Sequence, residues 1–334
     1  MILAGKDDRM QEWKRSVQNV VSYIDERIRR GDFAHLSLSE MAKRFSYSPF
    51  YLSRVFSSDS GMQLRHYVQG RALAFAAIEI RDTRDSILSV ALRYGFQSHE
   101  AFTRAFKKAY GLTPSEYRKT KVPLVLRTAI RPFDCYLMEE RIMVNQKESK
   151  GGVQSYFIRM PAHKFLHIRN YESIGYWDFW QKQSLIKGQD CETICGLLSS
   201  IPGNLDNHGG EESDASSGQL MAWINAPTGR ICSWGIPLAE AYGVRLPANY
   251  DGPVPEQMIL MDVPEGEYVV FEHGPFDFET ESVSVEAKVE KAMKEFDYAS
   301  KGYELDLTPE RVFYFYHDCS RFFKYVRPVK RVDK

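Results

Sequence analysis

"GFQSHEAFTRAFKKAYGLTPSEYRK", residues 95–119, decides how the front of this chain is read. From Ala101 onward, Phe102, Ala105, Phe106 and Ala109 recur at three- and four-residue steps, the period of one buried helix stripe. His99, Glu100, Thr103, Arg104 and Lys107 fall on the opposite face. Gly95-Phe96-Gln97-Ser98 supplies a tight turn ahead of that helix, and Gly111 with Pro114 stops it. Upstream, Ile87, Val90, Ala91 and Leu92 form the inner face of a shorter helix. A short helix, a turn and a second helix that keeps hydrogen-bonding side chains on its outer face is the layout of a helix-turn-helix.

The same plan occurs once before. In "LSLSEMAKRFSYSPFYLSRVFSSDSG" (36–61), Ser37 or Ser39 caps a short helix carrying Leu38, Met41, Ala42 and Phe45. Ser46-Tyr47-Ser48 makes the turn, and Pro49 sits where a helix's first residue tolerates a missing N–H. Leu52, Val55 and Phe56 form the inner stripe, leaving Phe50, Ser53, Arg54 and Ser57 outside. Phe50 and His99 occupy matching places in the two segments. A long helix over Leu64–Arg81 joins them, and Val17, Val20, Val21, Ile24 and Ile28 mark another helix in front. Two such units on one frame suit successive major grooves, ~34 Å apart. Arginine can bond guanine bidentately, and threonine or phenylalanine can touch a thymine methyl. A helical scaffold whose outer faces are merely solvated is the other reading these residues allow.

Charge agrees with a polyanion in front. The net charge is zero over 334 residues, yet residues 1–130 hold 22 Lys and Arg against 13 Asp and Glu, while the remainder holds 22 against 31. A basic front and an acidic back imply two domains with different partners. Apolar residues make up 43% and charged ones 26%, the balance of a globular protein. No apolar run is long enough to span a membrane, and MILAGKDDRMQEWKR lacks a signal-peptide core, so a cytoplasmic protein is expected. The cysteines (135, 191, 195, 232 and 319) have no C-x-x-C spacing and read as free thiols.

Behind residue 120 the helical period ends. Residues 122–152 contain Pro123, Pro132 and "NQKESKGG", a connection, although "LVLRTAI" (124–130) also suits a first strand. From 153 the chain repeats itself: "YFIRMPAHKFLHIRNYES" (156–173) lines up with "MILMDVPEGEYVVFEHGPFD" (258–277), Pro161 falling on Pro264. Each copy reads as strand, Pro-led turn, strand and helix. Further strands are expected at "CETICGLL" (191–198), "QLMAWIN" (219–225) and "RVFYFYH" (311–317), with a polar loop over 203–218. A cleft between the copies would be lined by Trp177, Trp180, Trp223, Trp234, Tyr314 and Tyr316, suited to a flat or cationic ligand, although such aromatics also fill cores. His163 and His167 sit four apart on a strand-turn-strand, which does not converge two ligands, so no metal site is expected. No nucleophile-and-base constellation, phosphate loop or cofactor fingerprint is present, and no catalytic role is assigned.

Residues ~17–119 resemble the DNA-binding domain of AraC/XylS-type transcription regulators, in which a G-F-x-S turn precedes the second recognition helix and T-P-x-x-Y-R closes the domain. The resemblance puts Phe50, Ser53 and Arg54 at base-reading positions of the first recognition helix. It puts His99, Glu100, Thr103 and Arg104 at those of the second, with Lys107 on the same face. The rear half is similar to the GyrI-like effector-binding domain through "VPEGEYVVFEHGPFD" and "PERVFYFY". Where that family often has an acid, this chain reads Phe313-Tyr314-Phe315; Glu272 and Glu172 are the candidate substitutes, and both also suit a surface. The combination resembles Rob-type regulators. It implies double-stranded DNA and a small aromatic or cationic effector as partners, activation through RNA polymerase, and no membrane or cofactor. The rear domain as a small-molecule hydrolase or a protein-binding module is the alternative. The expected fold is multidomain. An all-α N-terminal domain (10–121) holds two helix-turn-helix units joined by a long helix. A linker or first strand (122–152) then leads to an α+β C-terminal domain of duplicated β-rich units (153–334).

Overall fold

Serine caps and glycine stops cut the front of the chain into short helices. The computed structural model describes residues 4–130, 148, 150–206, 218–318 and 322–332, and these divide into two units. The first unit contains α1 (Ala4–Arg29), α2 (Leu38–Arg44), α3 (Pro49–Ser60), α4 (Leu64–Asp82), α5 (Ile87–Arg93), α6 (His99–Tyr110) and α7 (Pro114–Thr120). Ser37 caps α2, accepting from the Glu40 N–H at 3.2 Å. Ser48 caps α3 at 3.1 Å, Ser86 caps α5 at 3.0 Å and Ser98 caps α6 at 3.1 Å. Each such cap contributes about 1 kcal/mol, so the two helix pairs have matching ends. Both α3 and α6 stop on a left-handed glycine, Gly61 and Gly111. The turn inside the second pair needs glycine twice over: Gly95 has φ +80°, and a Cβ there would lie 2.7 Å from the Phe33 ring.

α4 serves both pairs. Leu64 and Tyr67 pack with Val20, Ile24, Met41, Leu52 and Phe56, while Leu73, Ala76 and Ile80 pack with Val90, Ala91, Phe102, Phe106 and Tyr117. Small alanines on α4 let the surrounding helices approach closely. Three residues differ from the periodicity: Leu38 on α2 is 37% exposed and Leu92 on α5 57%, because a seven-residue helix buries only one narrow stripe, and Ala109 faces solvent near the end of α6.

The segment after α7 is not a strand. Residues 124–130 have no ladder partner among the described residues; Leu124 and Leu126 are buried, and the Leu126 N–H turns back to the Leu124 carbonyl at 3.0 Å. "CETICGLL" is not a strand either but part of α9 (Cys191–Ser200), because Ile194, Leu197 and Leu198 are apolar at helical spacing. Glu192–Ser200 belongs to the first unit, flanked in sequence by residues of the second. The Ser200 hydroxyl accepts from the Leu124 N–H at 3.0 Å, its carbonyl accepts from Arg81 Nη1 at 2.6 Å, and Glu192 pairs with Arg127. Gly196 sets the contact distance, since a Cβ there would lie 2.6 Å from the Leu126 oxygen.

The second unit holds β1 (Gln154–Met160), β2 (His163–Asn170), α8 (Gly175–Gln183), β3 (Leu220–Ile231), β4 (Pro237–Pro247), β5 (Ile259–Val263), β6 (Gly266–His273), α10 (Phe278–Glu295), β7 (Tyr303–Leu305), β8 (Val312–Asp318) and β9 (Phe322–Arg331). The strands form one antiparallel sheet in the order β1-β6-β9-β8-β3-β4-β2-β5, with β7 also on β9. Neighbouring β1 and β2 do not pair with each other. β1 takes β6, Met160 opposite Gly266, and β2 takes β5, His163 opposite Val263. α10 packs Val285, Val289 and Met293 on one face, over Phe271, Phe323 and Tyr325. α8 lies on that face too, with Trp180 edge-on to Tyr242 at 4.9 Å. Residues 207–217 of the polar loop, His208 among them, lie outside the described residues, as do Cys135 and Cys319. Cys191, Cys195 and Cys232 are free thiols.

Gly196→Val is expected to lower the unfolding free energy by about 1–3 kcal/mol in urea titrations, the range for an overpacked contact. Gly152→Ala, with nothing within 4 Å of the added carbon, is expected to leave it unchanged.

Candidate nucleic-acid interface and effector site

On α3, Phe50 is 77% exposed, an unusual place for a large apolar ring; Arg54 is exposed and Ser53 half-buried. On α6, His99, Glu100, Arg104 and Lys107 are exposed. Thr103 is half-buried, and its hydroxyl oxygen is buried without a partner. Glu100 is tied locally: its own backbone N–H, then the Ser98 side chain, hold its carboxyl below the usual range. That is the position of an acid at a helix N-terminus, which stabilises α6. Arg93, outside the α6 face, is taken by Glu79 and Asp85. Among the described residues Arg54, Arg104 and Lys107 form no ion pair, which leaves all three cations on these faces able to reach a duplex.

The second unit separates the residues proposed as one cleft. Strand alternation puts Trp223 on the face covered by α8 and α10, where its ring meets Trp234 at 5.4 Å, Tyr325 at 5.7 Å and Phe315 at 6.1 Å. Trp177 is half-buried on α8, edge-on to Tyr176 at 5.1 Å. Tyr314 and Tyr316 point to the other face. Tyr314 is fully buried, its hydroxyl 2.6 Å from His163 Nε2, and Tyr316 reaches Asp206 at 3.5 Å. Asp206 also accepts from Arg245 Nε at 2.8 Å. Glu272 lies elsewhere, accepting from Tyr156 at 2.6 Å and pairing with Lys324 at 3.3 Å, and Glu172 is exposed.

Two charged residues missing from the sequence-based set sit on the Trp223 face. Glu240, across from Trp223 on β4, is 6% exposed. Its Oε1 accepts from the Gly175 N–H at 2.7 Å and from Trp223 Nε1 at 3.4 Å, while Oε2 is buried without a partner. Arg327 on β9 is 4% exposed, with its guanidinium 5.1 Å from the Trp234 ring centre. The available signal was register: Glu240 and Arg327 occupy inward positions of strands that are otherwise apolar on that face.

His163 and His167 do not converge. His163 Nδ1 donates to the Pro161 carbonyl at 2.9 Å; His167 Nδ1 donates to Phe165 at 3.0 Å, and its Nε2 accepts from Arg169 at 3.0 Å. Burial pulls both below the ordinary histidine value, His167 to about 3.

Residues 41–120 match the family described as "Helix-turn-helix domain". The Transposon Tn10 TetD protein of Escherichia coli is 35% identical over 116 residues, covering 35% of this chain and 80% of that protein. Regulatory protein SoxS of Escherichia coli (strain K12) is 33% identical over 105 residues, 31% of this chain and 94% of SoxS. Right origin-binding protein of Escherichia coli (strain K12) is 40% identical over 143 residues, 41% of this chain and 49% of that relative, so the chain spans about half the length of that protein. The chain belongs to the AraC-type family of helix-turn-helix, DNA-binding transcription regulators. It is a regulator of transcription rather than an enzyme. No helix among the described residues is long and apolar enough to cross a membrane.

The buried histidines give the fold an acid limit. A folded pKa below the unfolded one means stability is complete above about pH 6.5 and is lost as pH falls toward the folded value. For His167, unfolding free energy is expected to fall as pH drops below 6.5, at a rate that approaches about 1.4 kcal/mol per pH unit between pH 5.5 and 4. His167→Gln is expected to remove that share of the slope in urea titrations at each pH.

Proposed function

We propose that α3 and α6 are two recognition helices reading adjacent major grooves on one face of the duplex. The observation that carries this reading is their equivalence. Both have 12 residues, a serine cap, a left-handed glycine stop and a core stripe packed with α4. Phe50, Ser53 and Arg54 read bases from α3; His99, Thr103 and Arg104 read from α6, with Lys107 on phosphate and Glu100 chiefly capping its helix. Two readers on one chain make a monomer sufficient for a site of two blocks.

The second unit is read as a GyrI-like effector domain built from two copies of strand, strand, helix. Its reciprocal pairing supports the duplication, since β1 with β6 and β2 with β5 exchange under a twofold relation. The effector site is the aromatic cluster around Trp223 and Trp234. Glu240 supports this reading: it offers an unpaired carboxylate oxygen on the face where Phe313 and Phe315 replace the family's acid. Trp177 on α8 flanks that face. Tyr314, Tyr316 and Glu272 then serve the sheet rather than the effector. Effector binding alters DNA affinity only through unequal affinity for two states. Activation through RNA polymerase is the role the family resemblance carries over.

Arg54→Ala and Arg104→Ala are each expected to relax base preference at one position and to cost about 1–3 kcal/mol on the preferred duplex. Lys107→Ala is expected to weaken all duplexes alike and flatten the salt dependence by about one unit. Competition binding at two salt concentrations checks both. Unchanged affinity and preference in both arginine variants contradicts the assignment of these faces.

A further inference from the structure

Arg327 has no acid. It is 4% exposed, and its single described hydrogen bond is Nη1 to the Tyr298 hydroxyl at 2.9 Å. Its Nε is buried without a partner. The guanidinium lies over three rings instead: Trp234 at 5.1 Å, Phe313 at 5.9 Å and Tyr298 at 6.0 Å. Aromatic faces attract a cation but leave N–H donors unsatisfied, and a buried cation without a counter-charge is costly. Three strands away, Glu240 is the mirror case, a buried carboxylate with one oxygen unpaired. No ion pair joins the two. The order β9-β8-β3-β4 sets their strand axes roughly 14 Å apart, three inter-strand spacings. Between them, on β3 and β8, run Trp223, Phe313 and Phe315, with Tyr325 beside Arg327 on β9, all on the face under α8 and α10.

We propose that this face binds an amphoteric aromatic molecule, its cationic or donor end at Glu240 and its acidic end at Arg327. The proposal rests on the effector reading above and narrows it from a flat or cationic ligand to one carrying both charges. A purely cationic ligand satisfies Glu240 and leaves Arg327 unpaired, and a purely anionic one does the reverse. A ligand with both ends satisfies the two orphan atoms at once, and the rings between them supply the flat surface. The discrimination comes from buried groups left unpaired by the wrong ligand, a larger effect than the loss of contact area.

The test uses the full chain and three matched probes: 4′-(aminomethyl)biphenyl-4-carboxylic acid, its methyl ester (cation only) and its N-acetyl derivative (anion only). Binding is read by quenching of tryptophan fluorescence and by titration calorimetry. The amino acid is expected to bind roughly tenfold tighter than either derivative, the factor that about 1.4 kcal/mol supports. Arg327→Gln is expected to reduce the amino acid to the level of the ester, and Glu240→Gln to reduce it to the level of the N-acetyl acid. Should Arg327→Gln fail to fold by circular dichroism, the wild-type comparison decides alone, and Arg327→Lys keeps the cation for a second reading. Equal affinity for the amino acid and the ester overturns the role of Arg327 while leaving the effector site in place. Absence of binding by all three overturns the effector reading and this inference together.

Discussion

Everything in the front unit hangs on α4, and α4 is fixed by one buried ion pair. Arg71 Nε donates to Asp25 Oδ1 on α1 at 2.8 Å, and the same guanidinium donates to the Arg127 carbonyl beyond α7. One side chain therefore ties α1, α4 and the segment after α7 at a point where both partners are buried. A buried pair is weak evidence of added stability, but it is strict about geometry, because a slipped register would strand a charge in the core. With α4 so held, its two ends position two helix pairs by ordinary apolar packing, Phe56 on one side and Phe102 with Phe106 on the other. If α3 and α6 are recognition helices, as proposed, their faces are useful only at a constant spacing, and the shared helix α4 would supply that constancy.

The helices of the front unit were legible because short helices advertise their ends. Serine caps, Pro49 and Pro114, and the glycines at 61, 95 and 111 are local signals, readable without any contact. Arg71 and Asp25 were not legible as a pair: 46 residues separate them, and nothing local distinguishes them from surface charges. The strand readings at 124–130 and 191–198 failed for a related reason. Both are short apolar runs, which suit strand or helix alike until a partner is known. Gly196 and Ser200 make α9 a helix that docks on Leu124 and Leu126.

In the rear unit the strands were legible and their partners were not. "YFIRMPAHKFLHIRN" reads as two strands around a proline, and a hairpin would be the simplest pairing. The chain instead sends β1 to β6 and β2 to β5, a long-range exchange that no local residue announces. The same topology scatters the residues once grouped as a cleft, with Trp223 on one face and Tyr314 and Tyr316 on the other. It gathers Glu240 and Arg327, from "AEAY" and "YVRP", onto a single face. Charges at inward positions of apolar strands were the available clue.

The central claim is that two equivalent helices read one duplex. Selection from random duplex DNA by the purified full chain, run at two salt concentrations, tests it most directly. Two reading helices should enrich a site with two conserved blocks about 10 base pairs apart centre to centre, retained at the higher salt. Salt-sensitive binding with no enriched sequence, or a single conserved block, would contradict it.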